Sequence, residues 1–186
     1  MTRFDTKLAH LGRDTAHVAQ TVNPPVARAS TILFDSLDEL RAARADTPFE
    51  VYRYGIYGTS TQFELQSAMA ELCGTESCIA TGSGLTAIAA TLSAHARPGG
   101  RVLIQGDVYE PARVFAEREL GDGVDLRFFE TVDELDGLAT ADTDLVFIEV
   151  PTSLTMRIID VGRVVAIARR VGAPVACDST WGTPRF

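Results

Sequence analysis

Four short apolar runs set the strongest constraint on how this chain folds: Val102-Leu103-Ile104, Val124 to Phe129, Leu145 to Val150, and Pro174 to Cys177, each bounded by Gly, Asp or Pro. Runs of that length between turn formers predict strands. The stretches around them carry a different period. Leu65, Ala68, Met69 and Leu72 are spaced i, i+3, i+4, i+7, and Leu85, Ile88, Ala89 and Leu92 repeat the spacing, as do Val161, Val164, Val165 and Ala168. That spacing predicts helices with one apolar face. Capping boxes at Ser36-Leu37-Asp38-Glu39 and Thr131-Val132-Asp133-Glu134 mark two further helix starts. Strands alternating with helices are joined by crossovers, so the predicted class is α/β with a mostly parallel sheet. Residues 1–58 lack this regularity and are punctuated by Asn23-Pro24-Pro25, which predicts an N-terminal arm ahead of a regular domain at 59–186.

Composition narrows the class of function. With 186 residues, 46% of them hydrophobic and 23% charged, the chain has the make-up of one globular domain with a sizeable core. A net charge of -8 and a pI near 4.8 give no electrostatic reason to bind nucleic acid or an anionic membrane. Met1 to Asp14 has no hydrophobic signal core, and no run approaches the ~20 apolar residues of a membrane span, so a cytoplasmic protein is expected. Cys73, Cys78 and Cys177 match no zinc spacing; they are expected to be reduced core residues, and no metal site is expected.

In an open α/β sheet the ligand sits beyond the carboxyl ends of the strands. Thr81-Gly82-Ser83-Gly84-Leu85 follows the apolar run Cys78-Ile79-Ala80, read as a strand, and opens into the helix of Leu85 to Leu92. Helix-start amides lack intrahelical acceptors and glycine permits close approach, so this turn predicts an anion cradle with a phosphate as guest. Its spacing is neither Gly-x-Gly-x-x-Gly nor Gly-x-x-x-x-Gly-Lys-Ser/Thr, which leaves the identity of the phosphate open. Ser83 and Thr86 offer hydroxyl donors, or serve as ordinary helix-start residues. Tyr109, after the strand and Gly106-Asp107, could stack on a flat cofactor or simply pack. Asp178, after Val175-Ala176-Cys177, could hold a protonated ring nitrogen or act as an N-cap or surface carboxylate.

Taken in order, these segments resemble the fold-type I enzymes of the Cys/Met-metabolism family, which use pyridoxal 5'-phosphate, and most closely its cystathionine β-lyase branch. The resemblance rests on Asn23 to Thr31, Tyr54-Gly55-Ile56-Tyr57-Gly58-Thr59, Ser83-Gly84-Leu85, Tyr109-Glu110-Pro111, Glu149 to Met156, and Asp178-Ser179-Thr180-Trp181. It implies a transferase-like large domain, of which 59–186 is the first part. It also implies roles: Ser83 and the amides of Gly84 and Leu85 on the cofactor phosphate, Tyr109 stacked on the ring, and Asp178 on the ring nitrogen. Ser153 would lie near the 3'-oxygen, and Thr180 belongs to the same cofactor-binding set. Tyr54 would reach across a dimer interface to the partner subunit's phosphate site, and it joins Tyr109 as a catalytic candidate. The implied reaction is β-elimination from cystathionine or a related sulfur amino acid, giving a thiol, pyruvate and ammonia. That would place the enzyme in the transsulfuration steps of methionine biosynthesis, as a homodimer or homotetramer. A γ-lyase or γ-synthase shares the same residues. The reading from a different class is a nucleotide- or phosphate-binding α/β domain without pyridoxal phosphate.

Two departures from the family pattern stand out. Ile56 occupies the place where the family carries a phosphate-clamping arginine, with Arg53 three positions earlier. Among sixteen arginines there is a single lysine, Lys7, which matches no cofactor-anchoring motif. The resemblance places that motif beyond the Asp178 strand, so the sequence to Phe186 is expected to be roughly the N-terminal half of an enzyme. Alone it is expected to be inactive, poorly soluble because of an open strand edge, and a weak cofactor binder.

Overall fold

The computed structural model describes residues 4–11, 23–45 and 51–184. The chain forms two compact units, Met1–Ala80 and Thr81–Phe186.

In Met1–Ala80 the described elements are helices α1 (Phe4–His10), α2 (Leu37–Ala45) and α3 (Ser60–Cys73), with a 3-10 turn at Gly55–Tyr57. The sequence pattern did not anticipate α1. Side chains at the start of α3 organise the preceding segments. Thr59 donates its hydroxyl to the Ala27 carbonyl, and Thr61 Oγ1 accepts from the Ala27 amide at 2.8 Å. Gly55 donates its amide to the Ser30 carbonyl at 2.7 Å, and a Cβ at residue 55 would lie 1.8 Å from the Ala29 carbonyl oxygen. Only glycine allows the two backbones to approach so closely.

Three expectations fail, two of them in this unit and one that also involves Cys177 of the other. Cys78-Ile79-Ala80 is not a strand: no described neighbour pairs with it, and its Ala80 amide is satisfied by the side chain of Gln66 at 3.0 Å. That bond also draws Gln66 inward, so α3 buries Gln66 and Ala70 while Leu65, on the expected apolar face, is 55% exposed. The three cysteines are free, as expected, but they are not core residues, since Cys73 and Cys177 are exposed and Cys78 is half-buried.

Thr81–Phe186 contains the sheet. Its order is β2 (Asp125–Phe129), β1 (Arg101–Gln105), β3 (Thr143–Glu149), β4 (Val175–Asp178), all parallel, with Ile104 opposite both Phe128 and Phe147. Alternate residues along each strand divide the core between two faces. One face sets Val102, Ile104, Leu145 and Phe147 against Ile88 and Leu92 of α4 (Gly84–His95) and Ala112 and Ala116 of α5 (Glu110–Glu119). The other sets Leu103, Val146 and Ile148 against Leu135 of α6 (Val132–Leu138) and Val164, Ile167 and Ala168 of α7 (Val161–Val171). The winding therefore reverses between β1 and β3. Such a switch leaves a crevice at the strands' carboxyl ends.

Local chemistry ends the helices where the sequence suggests. Thr131 Oγ1 accepts from the Glu134 amide at 3.2 Å and Ser36 Oγ from the Glu39 amide at 3.2 Å. In both boxes the glutamate caps the residue before the hydroxyl, bonding the amides of Glu130 and Asp35. Gly172 closes α7 in the left-handed conformation at φ 78°. Among the described residues no helix is long and apolar enough to cross a membrane, and no group of His, Cys, Asp and Glu is placed to hold a metal ion.

Leu103 has no exposed surface and lies in the central strand pair. Leu103→Ala is expected to destabilise the chain by about 2–5 kcal/mol, since the tight strand layer cannot collapse into the cavity. In urea the midpoint should fall while the slope stays unchanged.

Candidate functional site

Strand β3 is buried at every residue and ends in a carboxylate, Glu149, which is 2% exposed. A buried charge needs partners. Glu149 Oε2 accepts from the Tyr109 backbone amide and Oε1 from the Ser153 hydroxyl, each at 2.5 Å, while its own amide donates to Gln105 Oε1 at 3.2 Å. One side chain thus joins the loop after β1 to the loop after β3. Asp107 tightens the same junction: Oδ1 accepts from Gln105 Nε2 and Arg157, and Oδ2 from Thr155 Oγ1 at 2.7 Å. Burial pushes the Asp107 carboxyl up, but the hydrogen bonds from Thr155, Arg157, Thr152 and Gln105 outweigh it and hold the group below its ordinary range.

At the crevice, α4 begins at Ser83, whose hydroxyl oxygen accepts from the Thr86 amide at 3.1 Å. The Ala87 amide bonds the Ser83 carbonyl, which leaves the Gly84 and Leu85 amides without an acceptor among the described residues. Gly84 has no positive φ, and a Cβ there would meet nothing within 4 Å. Internal packing therefore does not require this glycine; the space beside it is open.

Ser83, Gly84, Leu85, Tyr109, Ser153, Asp178 and Thr180 all line one cavity of about 400 Å³. The structure brings these expected site residues together, whereas Thr86 does not line the cavity and its amide and hydroxyl are engaged with Ser83 Oγ. Tyr54 belongs to Met1–Ala80 and lines a separate pocket there. Asp178 ends β4, and its Oδ1 accepts from the Thr180 amide at 2.9 Å and hydroxyl at 2.6 Å, leaving Oδ2 without a bond among the described residues. Tyr109 precedes α5 as its N-cap residue, with Pro111 in the first turn, and Tyr109 is 42% exposed at the cavity. Glu149 and Trp181 also line the cavity, although the sequence assigned them no role. The lone carboxylate closing an apolar run was the available signal for Glu149.

A smaller cavity of about 230 Å³ shares Gly84, Ile88, Asp178 and Thr180 with the first and continues to Cys177. Burial pushes the Cys177 thiol up, and the neighbouring Asp178 carboxylate adds to the shift. It therefore stays protonated near neutral pH and is a poor nucleophile.

A parallel α/β unit that gathers free helix-start amides, an aromatic ring and a carboxylate at a topological switch is built as a cofactor-binding domain. Comparison with known proteins makes the class specific. The chain belongs to the Cys/Met metabolism PLP-dependent enzyme family, whose model matches residues 5–186. It is 33% identical over 184 residues to cystathionine β-lyase of Salmonella typhimurium, covering 96% of this chain and 47% of that protein. It is likewise 33% identical over 187 residues to an L-alanine/L-glutamate racemase of Wolbachia pipientis, covering 95% of this chain and 46% of that one. Its fold matches the crystal structure of a cystathionine γ-lyase from Micromonospora echinospora with a TM-score of 0.80 at 30% identity, over 99% of this chain and 47% of the other. The chain thus spans about half the length of the curated relatives it matches.

The family's cofactor is pyridoxal 5'-phosphate, and the cavity's donor set fits it. Two free amides and the open space beside Gly84 suit a phosphate, and an unengaged carboxylate oxygen suits a protonated ring nitrogen.

Asp107 supports folding through its ionised form, so its contribution is complete above the unfolded carboxyl value and is lost as pH falls through the lower folded one. Asp107→Asn should lower the melting temperature at pH 7. The gap to the parent should begin to narrow near pH 4 and shrink further as pH falls toward the lower folded value. Thermal melts from pH 7 to 3 would measure it, and a gap constant with pH would contradict it.

Proposed function

We propose that the complete protein is a pyridoxal-phosphate-dependent carbon–sulfur lyase acting in the cytoplasm on cystathionine or a related cysteine conjugate. The reading is carried by the convergence of the Gly84 and Leu85 amides, Tyr109, Ser153 and Asp178 on one cavity. The 33% identity to a cystathionine β-lyase supports β-elimination. When bound, the cofactor supplies an electron-withdrawing pyridinium ring that stabilises negative charge at the substrate Cα. In this reading the α4 amides and Ser83 hydroxyl hold the phosphate, and the helix dipole adds to the attraction. Asp178 Oδ2 keeps a proton on the ring nitrogen, with Thr180 holding Oδ1 and so fixing the carboxylate plane. Tyr109 covers the ring face, its backbone pinned by Glu149. Ser153 orients the ring's 3'-oxygen edge, Thr180 completes the lining, and Tyr54 serves a partner subunit's site in a homodimer or homotetramer. Residues 1–58 act as the arm carrying that contact and 59–186 as the first part of the large domain.

The identity to the Micromonospora protein favours γ-elimination as the second reading, and the likeness to the racemase raises a third outcome. All three begin by removing the Cα proton, so products decide between them. The complete protein, supplied with cystathionine and cofactor, should release pyruvate. Release of 2-oxobutyrate or formation of D-amino acids would overturn the β-lyase assignment. Asp178→Asn should lower turnover by about two to three orders of magnitude, as expected when a preorganised charge is removed. A variant with parental turnover would remove Asp178 from the mechanism.

A further inference from the structure

Two hydroxyls that follow β3 and β4 line the cofactor cavity, and each has its one proton committed to a carboxylate. Ser153 donates to Glu149 Oε1 at 2.5 Å, and Thr180 donates to Asp178 Oδ1 at 2.6 Å. A serine or threonine hydroxyl carries a single proton and two lone pairs, so a hydroxyl bonded in this way offers a ligand only acceptors. Glu149 has no freedom to release Ser153 by turning, because it is 2% exposed and its other oxygen accepts from the Tyr109 amide at 2.5 Å. The loop that holds Ser153 is closed at Thr152, whose amide donates to the Arg157 carbonyl at 3.1 Å and whose hydroxyl oxygen accepts from the Arg157 amide at 3.0 Å. Charge points the same way. Glu149 and Asp178 both line the cavity, and among the described residues no basic side chain joins them. A ligand oxygen that became anionic at Ser153 would meet lone pairs and like charge, both of which favour its protonated form.

We propose that the Glu149–Ser153 pair makes this edge of the cavity selective for a proton-bearing oxygen, so that the cofactor's 3-oxygen binds as a hydroxyl that donates to Ser153. The inference rests on the cofactor reading above and on its placement of Ser153 at that oxygen. Glu149 is then a positioning residue, which sets the direction of the hydrogen bond through Ser153. A neutral isostere reverses that direction. A glutamine at position 149 keeps its oxygen on the Tyr109 amide only by turning its NH2 group toward Ser153, which makes the serine accept there and frees its proton for the ligand.

The test uses the complete protein freed of cofactor, with pyridoxine 5'-phosphate and its 3-O-methyl ether as probes, since neither carries an aldehyde that reacts with a lysine. Calorimetry reads affinity, and absorption reads the ionisation of the 3-oxygen. The parent should bind the hydroxyl probe about tenfold or more tightly than the ether, which has no proton to donate. The bound hydroxyl probe should show the shorter-wavelength band of a protonated phenol. Glu149→Gln should lower the preference for the hydroxyl probe about tenfold, because the ether oxygen then accepts from Ser153. The bulk of the methyl group is common to both proteins and cancels in this comparison. In a Ser153→Ala background the exchange at 149 should leave the preference unchanged, which separates action through Ser153 from a change in overall charge or stability. A phenolate band in the parent, or equal affinity for the two probes, overturns the proposal and leaves the cofactor reading intact; the parent alone decides this even if Glu149→Gln does not fold. A preference that Glu149→Gln leaves at the parent's value also overturns it. A parent that binds neither probe nor pyridoxal phosphate overturns the proposal and the cofactor reading together.

Discussion

The buried carboxylate of Glu149 is the interaction on which the rest of the site depends. It stands where β3 leaves the core, and it must be satisfied there because no water-exposed alternative exists for a group 2% exposed. Its two oxygens go to different loops, one to the amide that starts α5 and one to the hydroxyl of Ser153. The backbone of Tyr109 is therefore held from below by Glu149, while the residue itself stays 42% exposed at the cavity. Gln105, fully buried at the end of β1, completes the arrangement by bonding both the Glu149 amide and Asp107.

Most of the fold was legible because its signals are local. Each of the four apolar runs became a strand, since each has a neighbour in a parallel sheet. Cys78 to Ala80 has the same composition and no pairing partner among the described residues, so composition alone misled there. The apolar stripe of α3 failed for a related reason: a glutamine was turned inward by one backbone amide, a contact that periodicity cannot see. Much of the site was legible because several of its residues follow strand ends. Tyr109, Ser153 and Asp178 needed only the sheet to bring them together, and Ser83 was marked by its glycine turn and the helix it opens, not by the strand expected before it. Glu149 and Trp181 needed knowledge of which loops face each other, and for them the sequence held little more than an unexpected charge or ring.

Charge is distributed unevenly across this acidic chain. Among the described residues the cavity of Thr81–Phe186 is lined by two carboxylates and no basic residue, so the attraction it offers an anion comes from helix-start amides and the α4 dipole. The pocket of Met1–Ala80 has the opposite character, with the Arg53 guanidinium held over the Tyr57 ring.

The division of the core into two faces separates what substitutions can change. The face covered by α4 and α5 includes the helices that start at the phosphate turn and at Tyr109, so repacking Ile88 or Ala112 would shift ligand-facing backbone. The face covered by α6 and α7 supports the same strands from behind and contributes no lining residue to the cavity. Sequence drift can therefore accumulate on α6 and α7 at the expense of stability alone. Divergence in substrate preference among relatives of this shape should instead be written in the α4 and α5 layer and the loops it holds.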